Sequence, residues 1–180
     1  MSSNFMIWNA RGVGNAGTLS TLKHLIKTYR ISVVAIIEPQ VSPQPNVLNN
    51  RLGLVFRGNN TNEQIWILSQ EEVQIEILDY SEQLLHVRGT SRQWPSQCYI
   101  AVSYGKCTRR GRYPLWSKLR ELAGEMDGLP WLVGGDFNTL TSEIERQGRS
   151  NGRYREMLEY VETIEDCQLL DPERSAEKER

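Results

Sequence analysis

The chain has 180 residues, 39% of them hydrophobic and 24% charged, which provides for one domain with a core and argues against a largely disordered chain. A formal net charge of −1 argues against nucleic-acid binding by bulk charge and leaves a local basic patch for that task. The three widely spaced cysteines, Cys98, Cys107 and Cys167, fit neither a disulfide framework nor a zinc pattern and read as reduced thiols. No apolar run approaches the ~18 residues of a membrane span. The N-terminus, "MSSNFMIWNARG", lacks the basic start and long apolar stretch of a signal peptide. A nuclear or cytoplasmic protein, neither secreted nor membrane-bound, is the expectation.

In chain order, "FMIWNA" (5–10) reads as a short strand ending at Asn9, followed by a glycine-punctuated loop, "RGVGNAG". Leu19, Leu22, Leu25 and Ile26 then recur at helical spacing over residues 18–30, with Thr18 as the expected N-cap. "ISVVAIIE" (31–38) is β-branched and nearly all apolar, an interior strand ending at Glu38. Strand, helix, strand predicts an α/β unit. Pro39, Pro43 and Pro45 predict a loop. Residues 53–57, 64–69, 72–79 and 83–89 read as short strands of one antiparallel meander.

"QCYIAVSYG" (97–105) is another apolar strand, ending near Tyr104, and "KCTRRGRYP" (106–114) reads as a basic loop. Residues 115–126 form an amphipathic helix with Leu115, Trp116, Leu119 and Leu122 on one side. "WLVGG" is the next strand, and residues 151–169 read as a helix carrying Met157, Leu158, Val161 and Ile164. The polar tail is expected to be disordered.

Four predicted strands thus end on a polar side chain: Asn9, Glu38, Tyr104, and Asp136 with Asn138. If they share one end of a sheet sandwich, their tips converge, and loops there commonly carry function. Two carboxylates with two amides and a phenol suit a hard cation such as Mg²⁺, which takes oxygen ligands and keeps several waters. Such an ion polarises a phosphoryl oxygen and stabilises a developing alkoxide. An Asp beside it can orient or deprotonate the attacking water. The set fits phosphodiester or phosphomonoester hydrolysis. Each residue alone has a plainer reading: Asn9 and "GGDFN" as turn formers, Glu38 as an exposed strand end, Tyr104 as core packing with a satisfied hydroxyl.

With "IWNARGVG", "VVAIIEPQVS", "AVSYGKCTRRGRYPLWSKL" and "LPWLVGGDFNTLTSEIERQG" in that order, the sequence resembles the endonuclease/exonuclease/phosphatase family, whose fold is like that of deoxyribonuclease I. Within it, "EPQVS", "QLLHVRG", "KCTRRGRYPLW" and "IEDCQLLDP" are similar to the N-terminal endonuclease domain of plant LINE-type, non-LTR retrotransposons. The resemblance implies an α/β (α+β), four-layer α/β/β/α sandwich over residues 5–172, truncated at the C-terminus, with a disordered tail over 173–180. It implies that Glu38 is the principal metal ligand and that Asp136 acts on the water or on a second metal position. Asn9 would bind near metal and phosphate, Tyr104 would contact the scissile phosphate, and Asn138 would hydrogen-bond the phosphate or orient the nucleophile. The cofactor would be Mg²⁺, with Mn²⁺ as the alternative ion. The substrate would be DNA, nicked to leave a 3′-hydroxyl.

The family's pattern also has a later Asp and a near-C-terminal Asp-His pair, which this sequence lacks. Its two histidines, His24 in a helix pattern and His86 in a strand pattern, read as structural, and Asp171 in "LLDP" matches a different family Asp. Loss of a general base typically costs ~10²–10⁴-fold in rate. The expectation is therefore a nicking endonuclease by ancestry whose activity is impaired or lost. The alternatives are an inactive remnant that at most binds nucleic acid or a partner, and a phosphatase or RNA exonuclease of the same fold. Sheet surface left open by truncation would favour self-association. Lys106, Arg109, Arg110 and Arg112 are candidates to grip DNA phosphates, weighed against a solvated loop. Four of the five tryptophans read as core; Trp94, in a predicted loop, has no assigned task.

Overall fold

The computed structural model describes residues 4–139 and 154–170. Asp171, residues 151–153 and the tail over 173–180 lie outside them. The chain divides into two compact units, Met1–Tyr104 with Leu129–Asp136, and Gly105–Gly128 with Phe137–Arg180.

The first unit holds β1 (Asn4–Asn9), α1 (Ala16–Thr28), β2 (Ile31–Ile37), α2 (Pro45–Leu52), β3 (Val55–Asn59), β4 (Ile65–Ser69), β5 (Gln74–Tyr80), β6 (Leu84–Thr90), β7 (Cys98–Tyr104) and β8 (Trp131–Asp136); the second holds α3 (Arg109–Glu125) and α4 (Tyr154–Asp166). One sheet has the order β1-β2-β4-β3, the other β5-β6-β7-β8. β1 runs parallel to β2, and β7 parallel to β8.

Strand period explains the layers. In β2, Val34 and Ile36 point to one side and pack with Leu22, Ile26, Leu48 and Leu52 of α1 and α2. Val33, Ala35 and Ile37 point to the other and meet Leu85, Val87, Ile100 and Val102 of the second sheet. A strand buried on both faces must be apolar at every position, which is what "ISVVAII" supplies. Each fully buried aliphatic side chain contributes roughly 1.5–3 kcal/mol, so these two apolar interiors together dominate the unit's stability.

Four predicted features differ. The N-cap of α1 is Asn15, not Thr18: Asn15 Oδ1 accepts the Thr18 N–H at 2.7 Å, so the helix starts a turn earlier. The proline-rich loop contains α2, because Pro45 occupies the first turn, where its missing N–H is not needed. The single meander is two hairpins in different sheets: β4 pairs with β2 and β3, and β5 with β6. Between them the Arg57 guanidinium donates to the Gln70, Glu71 and Val73 carbonyls, replacing strand pairing across that turn. Finally, most of "KCTRRGRYP" is the first two turns of α3. Thr108 caps it, and Pro114 lies inside it. Interior proline commonly costs ~3 kcal/mol, which is why the stretch reads as loop from sequence. Trp94 packs edge-on against Phe5 at 5.4 Å between ring centroids, so its place is structural. No described helix is long and apolar enough to cross a membrane.

Candidate metal and phosphate site

Parallel pairing fixes where the polar strand ends fall. Asn9 is in register with Ile37, so Glu38 stands one residue beyond it, and Tyr104 is in register with Asp136. These four residues close the C-terminal ends of β1, β2, β7 and β8, all in the first unit. Asn9 joins the two carboxylates: its Nδ2 donates to Glu38 Oε1 at 2.8 Å and to Asp136 Oδ2 at 2.9 Å. Both oxygens touch one nitrogen, so they lie within about 5.7 Å of each other. The expected convergence of Asn9, Glu38 and Asp136 is therefore present, across 127 positions of sequence for Asn9 and Asp136.

The backbone holds Glu38 rigidly. Its φ is 53°, a left-handed conformation costing on the order of 1–3 kcal/mol for a residue with a Cβ. It persists because both peptide groups are fixed: the Glu38 N–H donates to Gln64 O at 3.0 Å, and Glu38 O accepts from Gly12 N–H at 2.8 Å. Arg11, Gln40 and Asn138 also have φ near 50°, each two residues past Asn9, Glu38 or Asp136. Strain of this kind clusters at functional sites, where it pre-positions side chains. Gly12 and Gln64 are site-shaping residues not identified from sequence. Both act through the backbone, and only the glycine-rich "RGVG" signals one of them. Gly135 explains the double glycine: its φ is 147°, and a Cβ there would stand 1.9 Å from Ser103 O. A side chain would push β8 off β7 and carry Asp136 away from Glu38.

Tyr104 lies at the β7 end, partly buried against the sheet-on-sheet core, and its N–H donates to Gln83 O at 2.9 Å. Asn138 belongs to the second unit; its Nδ2 donates to Gly105 O at 2.6 Å. Lys106 and Arg110 are exposed. Arg109 pairs with Glu159 and lies over the Tyr113 ring. Arg112, expected in an exposed basic loop, is 1% exposed and bonded to Lys106 O, Asn138 O and the Glu156 carboxylate. A guanidinium so enclosed has no face to offer DNA, and Arg112 leaves the phosphate-gripping group. His24 sits on the exposed surface of α1 beside Thr28. His86 is buried in β6 between Tyr99 and Trp131.

Among the described residues no three His, Cys, Asp or Glu side chains gather as a metal cluster. Two carboxylates, aligned by the Asn9 N–H donors, are instead enough protein ligands for an ion that retains water, as Mg²⁺ does. When both are ionised at about 6 Å they repel by roughly 3 kcal/mol at an effective dielectric of 20. A divalent cation would reverse that sign, so the residues fit the ion.

No family model matches the chain, and no curated protein matches it. Solved structures do. The chain is similar, at 13% identity and a TM-score of 0.67, to the endonuclease domain of TRAS1, a telomere-specific non-LTR retrotransposon; the match covers 92% of this chain and 71% of that one. It is similar to an AP endonuclease, LMAP, from Leishmania major (13% identity, TM-score 0.64, 92% of this chain, 66% of that one). It is also similar to truncated Caenorhabditis elegans TDP2 (18% identity, TM-score 0.54, 82% of this chain, 66% of that one). Two mixed four-stranded sheets with flanking helices and these neighbours establish a deoxyribonuclease I-like α/β fold.

Proposed function

We propose that this chain carries a metal-dependent phosphodiesterase site that nicks DNA, with Mg²⁺ as the cofactor and Mn²⁺ as its substitute. One observation carries the reading: a single amide nitrogen, on Asn9, bridges Glu38 and Asp136. The nucleases among the fold's neighbours support it. DNA as substrate, and a nick that leaves a 3′-hydroxyl, come from the resemblance to LINE-type endonuclease domains.

A bound divalent ion would polarise the phosphoryl oxygen and stabilise the leaving alkoxide. Glu38, pinned by its backbone, would hold that ion. Asp136 would orient the attacking water or take its proton. Asn9 would keep the carboxylates apart and aligned, and the Tyr104 hydroxyl would contact the phosphate. Asn138 would meet the phosphate or orient the nucleophile with an amide already fixed on Gly105. Lys106 and Arg110, with Arg109 beside them, would bind flanking phosphates, which position DNA without reading its sequence.

The placement of both histidines, on the surface of α1 and inside β6, favours a second reading: a domain that binds metal and DNA without turnover. Plasmid nicking with Mg²⁺ separates the two. Nicking that needs the ion and falls by about 10²–10⁴-fold in Glu38→Ala and in Asp136→Ala supports hydrolysis. A clean preparation that shifts labelled DNA and never cuts it supports the second reading. Turnover confined to poly(A) RNA or phosphomonoesters overturns the choice of substrate.

A further inference from the structure

We propose that Arg112 is a positioning residue for this hydrolysis, acting through the backbone of Asn138; the inference rests on the reading above. A charged side chain almost never lies 1% exposed without partners, and Arg112 has three. Its Nη1 donates to Lys106 O at 2.9 Å and to Asn138 O at 3.0 Å, and its Nη2 donates to Glu156 Oε2 at 2.5 Å. Lys106 stands two residues past the end of β7, and Asn138 two residues past the end of β8. One planar fork therefore ties together the backbones that leave Tyr104 and Asp136.

The same pair of segments is pressed together a second time. Asn138 Nδ2 is held on Gly105 O at 2.6 Å, and a Cβ on Gly105 would stand 2.5 Å from Phe137 O. Asn138 itself has φ 50°, a conformation that needs its surroundings to fix it. The guanidinium supplies that fixing where it meets the Asn138 carbonyl. Glu156 compensates the buried charge and aims the fork. The turn geometry sets where Asn138 presents its amide.

Lysine tests this against a purely structural role. A lysine ammonium can keep the pairing with Glu156, but it is a point charge and cannot reproduce the fork on two carbonyls. Arg112→Lys should lower kcat for Mg²⁺-dependent nicking by about 10–100-fold, the scale of an ångström-sized misplacement, with KM little changed, when assayed well below the variant's own, somewhat lowered, unfolding midpoint. Glu156→Gln should show a smaller loss of the same kind. Arg120→Lys, which alters an exposed pair with Asp166 on the same two helices, should leave kcat intact. Wild-type kcat in Arg112→Lys, or a loss that only follows unfolding, overturns the inference. If the wild-type chain does not nick at all, the hydrolase reading fails first. The side-chain amide NMR signals of Asn138 then decide: a shift and faster exchange in Arg112→Lys support the positioning role, and unchanged signals overturn it.

Discussion

The two compact units are held together by different physics. The first encloses an apolar sheet-on-sheet interior, with Val33, Ala35, Ile37, Ile65 and Ile67 of one sheet against Leu85, Val87, Ile100 and Val102 of the other. Among the described residues, the helices of the second are α3 and α4, joined by Arg109–Glu159, Arg112–Glu156 and Arg120–Asp166. An aromatic stack adds to it: Trp116 and Tyr160 lie 5.3 Å apart, and Phe137 and Tyr160 4.9 Å. Apolar burial is nearly indifferent to salt and pH, whereas ion pairs are not. The carboxylates Glu38 and Asp136 of the candidate site stand on strand ends of the first unit, on a scaffold whose stability does not itself depend on charge.

The largest effect should come from breaking the apolar side of that contrast. Ile67→Ala should destabilise the protein by roughly 2–5 kcal/mol in urea unfolding, since the residue is fully buried between the sheets. A loss below about 1 kcal/mol would mean that the interior is not what holds the first unit. Acid should sharpen the other side. The hydrogen bond from Arg109 holds the Glu159 carboxyl below its ordinary value of 4.5. A depressed folded-state pKa contributes stability above the unfolded value and loses it as pH falls through the folded one. Amides of α4 should therefore exchange faster as pH drops below the ordinary glutamate range, once intrinsic rates are corrected for. Glu159→Gln should flatten that dependence, and the amides of β2 and β4 should show none of it. The smallest effect is chemical. Burial pushes the Cys98 thiol up to about 11, while Cys107 is exposed. Iodoacetamide at neutral pH should label Cys107 and leave Cys98 almost untouched by mass spectrometry.

Much of the first unit is legible in the sequence because its strands are short apolar runs that stop on a polar residue. That pattern located Asn9, Glu38, Tyr104 and Asp136, and the hydrogen bonds of Asn9 join three of them. What was not legible depends on long-range choices. Nothing local says that β4 returns to β2 while β5 turns to another sheet; a side chain from β3, Arg57, secures that break. The start of α3 was hidden by Pro114 and by "RRGRYP", a run that looks solvated until Glu156 and two carbonyls enclose Arg112. The helix α2 did carry signals, with Pro45 at its start and Gly53 at its end, but two neighbouring prolines masked them.

Manganese binding followed by electron paramagnetic resonance tests the central claim most directly, because it reads the ion without requiring turnover. The account predicts one Mn²⁺ per chain, displaced by Mg²⁺, with affinity at least about tenfold weaker in Glu38→Ala and in Asp136→Ala, and a double variant at least as weak as either single one. Wild-type affinity in both single variants, or two Mn²⁺ per chain of which each single variant loses one, would contradict a shared ion between Glu38 and Asp136.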